Sequence, residues 1–330
     1  MTVTETVIEA RGLVKKYGDL VAVAGIDLEV HGGEIFGFLG PNGAGKSTTI
    51  SMLCTLLRPT SGHAAVAGFD VARDPDSVRT RIGLVFQDPA LDEQLTAREN
   101  LEFHAFLYDV PRAIRAQRIA EVLGMVELAD RANSKVMTFS GGMKRRLEIA
   151  RGILHSPEVL FLDEPTRGLD PQTRSHIWDY LQDLRRREGI TIFMTTHYMD
   201  EAEFCDRIAI IDMGRIVALG TPDELKARVG GDVITIATTD NAASAAELAS
   251  KFGLTPAADN GTLRIEASDG AALIPRLVRD LSARVTAVTL RRPSLDDVFL
   301  KLTGRAIREE QAGALDRMRM MGARFGGRRR

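Results

Sequence analysis

Gly40-Pro41-Asn42-Gly43-Ala44-Gly45-Lys46-Ser47 fits G-x-x-x-x-G-K-S/T, the pattern of a phosphate-binding loop. The apolar run at residues 34–39 ahead of it reads as a buried strand, and residues 47–54 behind it read as a helix. That strand–loop–helix order is the context in which the pattern has a mechanism. Glycines lack the Cβ that would block a tight turn or an approaching phosphate, so backbone N–H groups can point inward. The helix N-terminus adds partial positive charge where an anion would sit. Lys46 has the reach for the β- and γ-phosphates, the Ser47 hydroxyl suits Mg²⁺, and Thr48 stands in the first helical turn. The stretch predicts a nucleotide site running from Gly40 to Thr48.

The rest of the composition narrows the class. The chain has 330 residues and a net charge of −2, so it can bury a core and has no bulk charge suited to nucleic acid. Its 2 cysteines, Cys54 and Cys205, lie far apart without metal-ligand spacing and read as reduced thiols. No apolar run has the length of a membrane-spanning helix, and residues 1–10 lack the basic start and apolar stretch of a signal peptide. The expectation is a cytoplasmic protein whose membrane role, if it has one, is peripheral or through a partner.

Three more apolar runs end in polar residues. Residues 82–86 read as a central strand ending at Gln87, and ligands of open α/β sheets bind at strand ends. A glutamine there can ligate Mg²⁺ or orient water, or simply cap the strand. Residues 159–162 end in Asp163 and Glu164. An acid closing a strand beside a phosphate loop can hold Mg²⁺, directly or through water, and the next acid can accept a proton from the attacking water or orient it. Residues 191–196 end at His197, which can donate to a γ-phosphate or pack. Between the first two runs the pattern turns helical: Thr96-Ala97-Arg98-Glu99 has a capping-box form, Pro111 breaks the helix, and residues 112–123 form a second one. The helical block is therefore read as a subdomain of about residues 90–155 inserted between strands. Near its end, Ser140 caps a helix whose first turns carry Lys144, Arg145 and Arg146. Cations are disfavoured there. Either a bound anion relieves the conflict or the side chains point into water.

Together these pieces resemble the ATP-binding cassette (ABC) ATPase family over about residues 5–228. Tyr17 matches the adenine-stacking aromatic, Gly40 to Ser47 the Walker A loop, Gln87 the Q-loop, and Ser140-Gly141-Gly142-Met143 the signature. Asp163 and Glu164 match Walker B and its catalytic acid, Gly168-Leu169-Asp170 the D-loop, and His197 the switch histidine. Met143 and Arg167 depart from the usual glutamine and small hydroxyl residue. The resemblance implies an α/β P-loop NTPase core with antiparallel β and helical subdomains. It implies ATP and Mg²⁺ as cofactors, with the metal held by Ser47, Gln87 and Asp163, and Glu164 and His197 as catalytic residues. It also implies a dimer, in which Ser140, Gly141, Gly142 and Met143 meet the ATP of a second ABC chain.

Residues 229–304 read as an added small α/β domain of β-α-β-α-β order, closing in Pro293-Ser294-Leu295-Asp296-Asp297-Val298-Phe299-Leu300. That close resembles the daunorubicin-resistance type of bacterial ABC ATPase. The subgroup implies export of a lipophilic compound through a separate transmembrane permease, with this chain peripheral on the cytoplasmic face of the plasma membrane. Residues 305–330 hold 8 arginines and are read as a basic, flexible tail. The competing class is a soluble ABC ATPase acting on ribosomes or nucleic acid. Such chains carry paired cassettes, a long coiled-coil insertion or cysteine zinc motifs, none of which is present here. An importer ATPase is disfavoured by the C-terminal close alone.

Overall fold

A computed structural model describes residues 5–87, 90–259 and 262–304. The basic tail lies outside the described residues, as do Asp88 and Pro89 just after Gln87. The chain opens with β1 (Thr6–Tyr17), β2 (Leu20–His31), β3 (Ile35–Leu39) and α1 (Lys46–Leu53). β4 (Ser61–Val66), β5 (Phe69–Asp70), α2 (Pro75–Arg81) and β6 (Ile82–Val85) follow. A helical block of α3 (Ala97–Leu107), α4 (Arg112–Met125) and α5 (Gly141–Ile153) leads to β7 (Val159–Asp163). Next come α6 (Pro171–Glu188), β8 (Thr191–Thr196), α7 (Met199–Ala202), β9 (Arg207–Asp212), β10 (Arg215–Gly220) and α8 (Pro222–Ala227). The last part holds β11 (Asp232–Thr238), α9 (Asn241–Phe252), β12 (Ala257–Asp259), β13 (Thr262–Ala267), α10 (Gly270–Asp280), β14 (Val285–Arg291) and α11 (Leu295–Thr303).

The central sheet has the order β10-β9-β3-β8-β7-β6. β6, β7, β8, β3 and β9 run parallel, and β10 joins as an antiparallel hairpin. β3, β7 and β8 are buried at every position, which explains their unbroken apolar runs: a parallel sheet covered on both faces has no polar side to alternate toward. One face is covered by the antiparallel sheet β2-β1-β4-β5. There Phe193 stacks on Phe36 at 5.6 Å and meets Phe161 at 5.4 Å. The other face carries α3 to α8 around Leu101, Leu147, Trp178 and Leu181. The helical block enters between β6 and β7, which pair directly, so the insertion leaves the sheet intact. Thr96 caps α3 with a complete capping box, and Pro111 starts α4 as its N-cap.

One expectation needs correction. β6 is the edge of the sheet, not a central strand, so Gln87 follows an edge strand and lies two residues beyond its end. Ser61 starts β4, which pairs antiparallel with β1. α7 is short because Phe204–Asp206 turn into β9.

The third sheet, β12-β13-β11-β14, is antiparallel throughout. It backs onto α9 and α10 through Ile234, Ile236, Leu248, Leu263, Ile265 and Leu277. β12 escaped the sequence reading because a three-residue edge strand has no room to alternate. α11 leaves this sheet and returns to the other core. Its Leu295, Val298 and Phe299, spaced at i, i+3 and i+4, join the cluster that contains Ala202 and Leu225. Lys301 Nζ closes the α8 end by donating to Val229 O at 2.7 Å.

Candidate active site

The loop after β3 is shaped by two glycines in particular. Gly45, with φ 108°, caps α1, and a Cβ there would come within 2.6 Å of Ala22 O. A Cβ on Gly40 would lie 2.3 Å from Ile211 O. No side chain caps α1, so its first N–H groups stay free to face an anion. Lys46 is buried, with Nζ 2.8 Å from Gly40 O, 3.2 Å from Pro41 O and 3.3 Å from Glu164 Oε1. Burial lowers the pKa of its ammonium, and the Glu164 charge works against that.

The strand order β3-β8-β7 puts one strand between the phosphate loop and the acids. Thr195, on that strand, bridges the gap. Its Oγ1 donates to Asp163 Oδ1 at 2.6 Å and accepts from Glu164 N at 3.0 Å. Asp163 Oδ1 also accepts from Ser47 Oγ at 3.2 Å. Glu164 has φ 46°, a left-handed backbone that a non-glycine residue adopts at a cost of about 1–2 kcal/mol. That turn aims its carboxylate at Lys46 and at His197 Nδ1, which is 3.2 Å from Oε1. Arg167 lies 3.5 Å from Oε2. Burial pushes the Glu164 pKa up, but the His197 hydrogen bond and the Lys46 charge outweigh it and hold the pKa at about 2. The carboxylate is therefore ionised at neutral pH.

The donor set fits Mg²⁺. Ser47 and Asp163 offer adjacent oxygens, and no cluster of three or more His, Cys, Asp or Glu is present among the described residues. A hard cation that keeps waters and phosphate oxygens needs few protein ligands. Gln87 is half-buried, and among the described residues no hydrogen bond joins it to Ser47 or Asp163. Tyr17 stands half-exposed at the end of β1 with Lys15 over its ring at 5.2 Å. The β1–β2 hairpin that carries it passes the loop at Ala22.

The signature stretch is elsewhere. Ser140 caps α5 by accepting from Met143 N at 3.3 Å, and Met143 packs on the main core. Asp170 caps α6 by accepting from Thr173 N at 3.0 Å and Thr173 Oγ1 at 2.6 Å. A Cβ on Gly142 would lie 2.4 Å from Thr173 Cγ2, so the signature and the Asp170 turn are packed together. Gly142→Ala should therefore lower ATP turnover about tenfold, and adding Thr173→Ser, which removes only the methyl, should recover most of it. Steady-state ATPase assays of the single and double variants check this. Among the described residues no hydrogen bond links Ser140–Met143 to the loop at residues 40–48. Of the three cations, Lys144 and Arg146 are partly exposed in surface ion pairs, and only Arg145 turns away from water. Lys144 pairs with Glu93 at 2.5 Å, Arg146 with Glu127 at 3.1 Å, and Arg145 is buried against backbone carbonyls.

Thr195 and Arg145 were missed as site residues. The only signal for Thr195 was a hydroxyl in an apolar strand, and nothing marked Arg145 apart from its charge.

The ABC transporter family model matches residues 23–167, and the model for the C-terminal domain of DrrA1-3-like ATP-binding proteins matches residues 220–303. Daunorubicin resistance ATP-binding protein DrrA3 of Streptomyces coeruleorubidus is 44% identical over 93% of this chain and 99% of its own. The chain belongs to the ABC transporter ATP-binding family. Linearmycin resistance ATP-binding protein LnrL of Bacillus subtilis is 41% identical over 92% of this ABC chain and 100% of its own. Among solved structures, cbiO1 of Clostridium perfringens aligns with a TM-score of 0.64 at 31% identity, covering 68% of this chain and 91% of that one. A dimeric ATP-binding cassette bound to ADP and Pi aligns at 0.59 with 31% identity, covering 65% and 98%. The ABC core is thus an ATP-binding, ATP-hydrolysing α/β cassette.

Proposed function

We propose that this chain is the ATPase subunit of a multi-subunit exporter of a lipophilic drug, antibiotic or lipid-like compound. The observation that carries this is the DrrA1-3-like match at residues 220–303, in a chain that spans its resistance-protein relatives from end to end. In this reading, residues 1–228 are the nucleotide-binding domain, with a helical subdomain of about residues 90–155, and residues 229–304 are an accessory domain. Lys46 and the α1 N-terminus neutralise phosphate charge. Ser47, Asp163 and Gln87 hold Mg²⁺, which supplies further charge neutralisation when bound. Glu164 accepts the proton of the attacking water or orients it, and His197 steadies Glu164 and the γ-phosphate. Tyr17 stacks on adenine. Ser140, Gly141, Gly142 and Met143 close on the nucleotide of a second copy, beside its Asp170 turn.

No described helix is long and apolar enough to cross a membrane, and the proposal places the export path in a separate permease. A groove of about 610 Å³ between α2, β6 and α3 has Leu56, Phe86, Leu107 and Tyr108 among its lining residues. Phe103 and Phe106 stand exposed on α3. This apolar face suits a segment of the permease, which would hold the chain at the cytoplasmic face of the membrane. The test is purification of the chain in detergent from its native cells, with identification of any polytopic membrane protein that comes with it. Copurification, with ATP turnover that responds to lipophilic drugs, supports the reading. Copurification with ribosomes, or full turnover without a membrane partner, overturns it.

A further inference from the structure

The signature helix grips the segment around Gln87 with charged side chains. Arg145, Glu148 and Arg151 share one face of α5 and are 6%, 0% and 8% exposed. Arg145 spends its whole fork on carbonyls: Nη1 donates to Phe86 O at 2.5 Å, Nε to Pro165 O at 2.6 Å and Nη2 to Asp163 O at 3.3 Å. Glu148 Oε1 accepts from Ala90 N at 2.7 Å, and Arg151 Nη1 donates to Ala90 O at 2.8 Å. Phe86 and Ala90 bracket Gln87. Burial lowers the Arg145 pKa to about 10, a sign that its charge is held in unfavourable surroundings. Arg145 forms no ion pair with a carboxylate among the described residues. A buried cation of this kind is rarely retained for stability, since an apolar side chain of similar volume often serves as well. What an apolar side chain cannot do is span three carbonyls from two different strand ends. Lysine cannot do it either, because it offers a single point charge rather than a planar fork.

We infer that Arg145 is a positioning residue that ties the segment bearing Gln87 to the strand end bearing Asp163 and Glu164. The spacing between the two candidate metal-binding elements is then set from the signature helix, and a shift of α5 moves both together. The inference rests on the ATPase reading above.

The test uses the full chain and its Arg145→Met and Arg145→Lys variants. Mn²⁺ affinity in the presence of a non-hydrolysable ATP analogue is read from the electron paramagnetic resonance signal of free Mn²⁺. Nucleotide affinity in EDTA is read separately, along with kcat and thermal melting. For Arg145→Met, the expected result is Mn²⁺ affinity and kcat each lowered about tenfold, with metal-free nucleotide affinity held within about twofold. Arg145→Lys should fall between, and it decides the matter if the methionine variant does not fold. Mn²⁺ affinity and kcat at the wild-type level in a folded variant, even with lowered melting, would overturn the inference and leave Arg145 a packing residue. If the wild type itself binds no metal–nucleotide complex, the ATPase reading fails and this inference falls with it, an outcome distinct from wild-type values in a folded variant.

Discussion

Glu164→Gln should abolish steady-state ATP hydrolysis, by about 10²–10⁴-fold, while nucleotide still binds. Glutamine keeps the shape of the side chain and its contact with His197, but it has no charge and no proton affinity at neutral pH. The size of the loss follows from how the wild-type carboxylate is held. Oε1 faces both Lys46 and His197, and Oε2 faces Arg167 at 3.5 Å. The backbone at φ 46° points it there. A carboxylate with a pKa near 2 is a weak base in water. In the assembled site phosphate charge would compete for Lys46 and raise its basicity. Turnover assays paired with fluorescent-nucleotide binding give the answer: equal losses in turnover and binding would mean that Glu164 shapes the loop rather than acting on water. The same carboxylate ties stability to pH. Its folded pKa lies below the ordinary carboxylate value of 4.5, so its contribution is present above about pH 4.5 and fades as pH falls toward 2. Glu164→Gln should therefore flatten the acid side of the stability profile.

The phosphate loop, the acid pair and the histidine were legible because each follows a fully buried parallel strand, where a polar residue at the end stands out against an unbroken apolar run. The cap residues Thr96 and Ser140 were legible for a similar reason, since local hydrogen bonds leave a local pattern. Contacts made across long sequence separations were not. Thr195 meets Asp163 from another strand, and Arg145 reaches carbonyls near residues 86 and 165. Carbonyl acceptors carry no side-chain signature at all, so no spacing rule could have shown that Arg145 was occupied. β6 read as central because its residues are apolar, and α5 of the helical block packs on this edge strand and leaves three of its four residues buried. The face of α11 had its helical spacing in plain view at residues 295, 298 and 299. Its partners did not, because a neighbouring sheet and a more distant helix pair would have satisfied the same pattern.

Phe299→Ala should destabilise the nucleotide-binding core, although residue 299 comes after the third sheet. Phe299 is 1% exposed and packs with Leu295 and Val298 in the cluster that holds Ala202 of α7 and Leu225 of α8. Emptying such a site costs about 3–5 kcal/mol. That is a large part of the 5–15 kcal/mol typical of a whole domain, and it corresponds to a melting shift of about 10 °C. The chain supplies its own reporter. Trp178, its single tryptophan, is buried on α6, and its ring lies 5.2 Å from that of Phe204, two residues past the end of α7. Thermal unfolding followed by Trp178 fluorescence therefore reads the core and not the third sheet. Leu300, one residue along and 49% exposed, is the control: Leu300→Ala should change stability by less than about 0.5 kcal/mol. A Phe299→Ala transition at the wild-type temperature would mean that α11 unfolds apart from the core it touches. A lowered transition would mean that the core is completed only when the chain returns from the third sheet. In that case α7, which follows directly on His197, is held from both sides: by Thr166 and Thr196 through Glu201, and by α11 through Ala202.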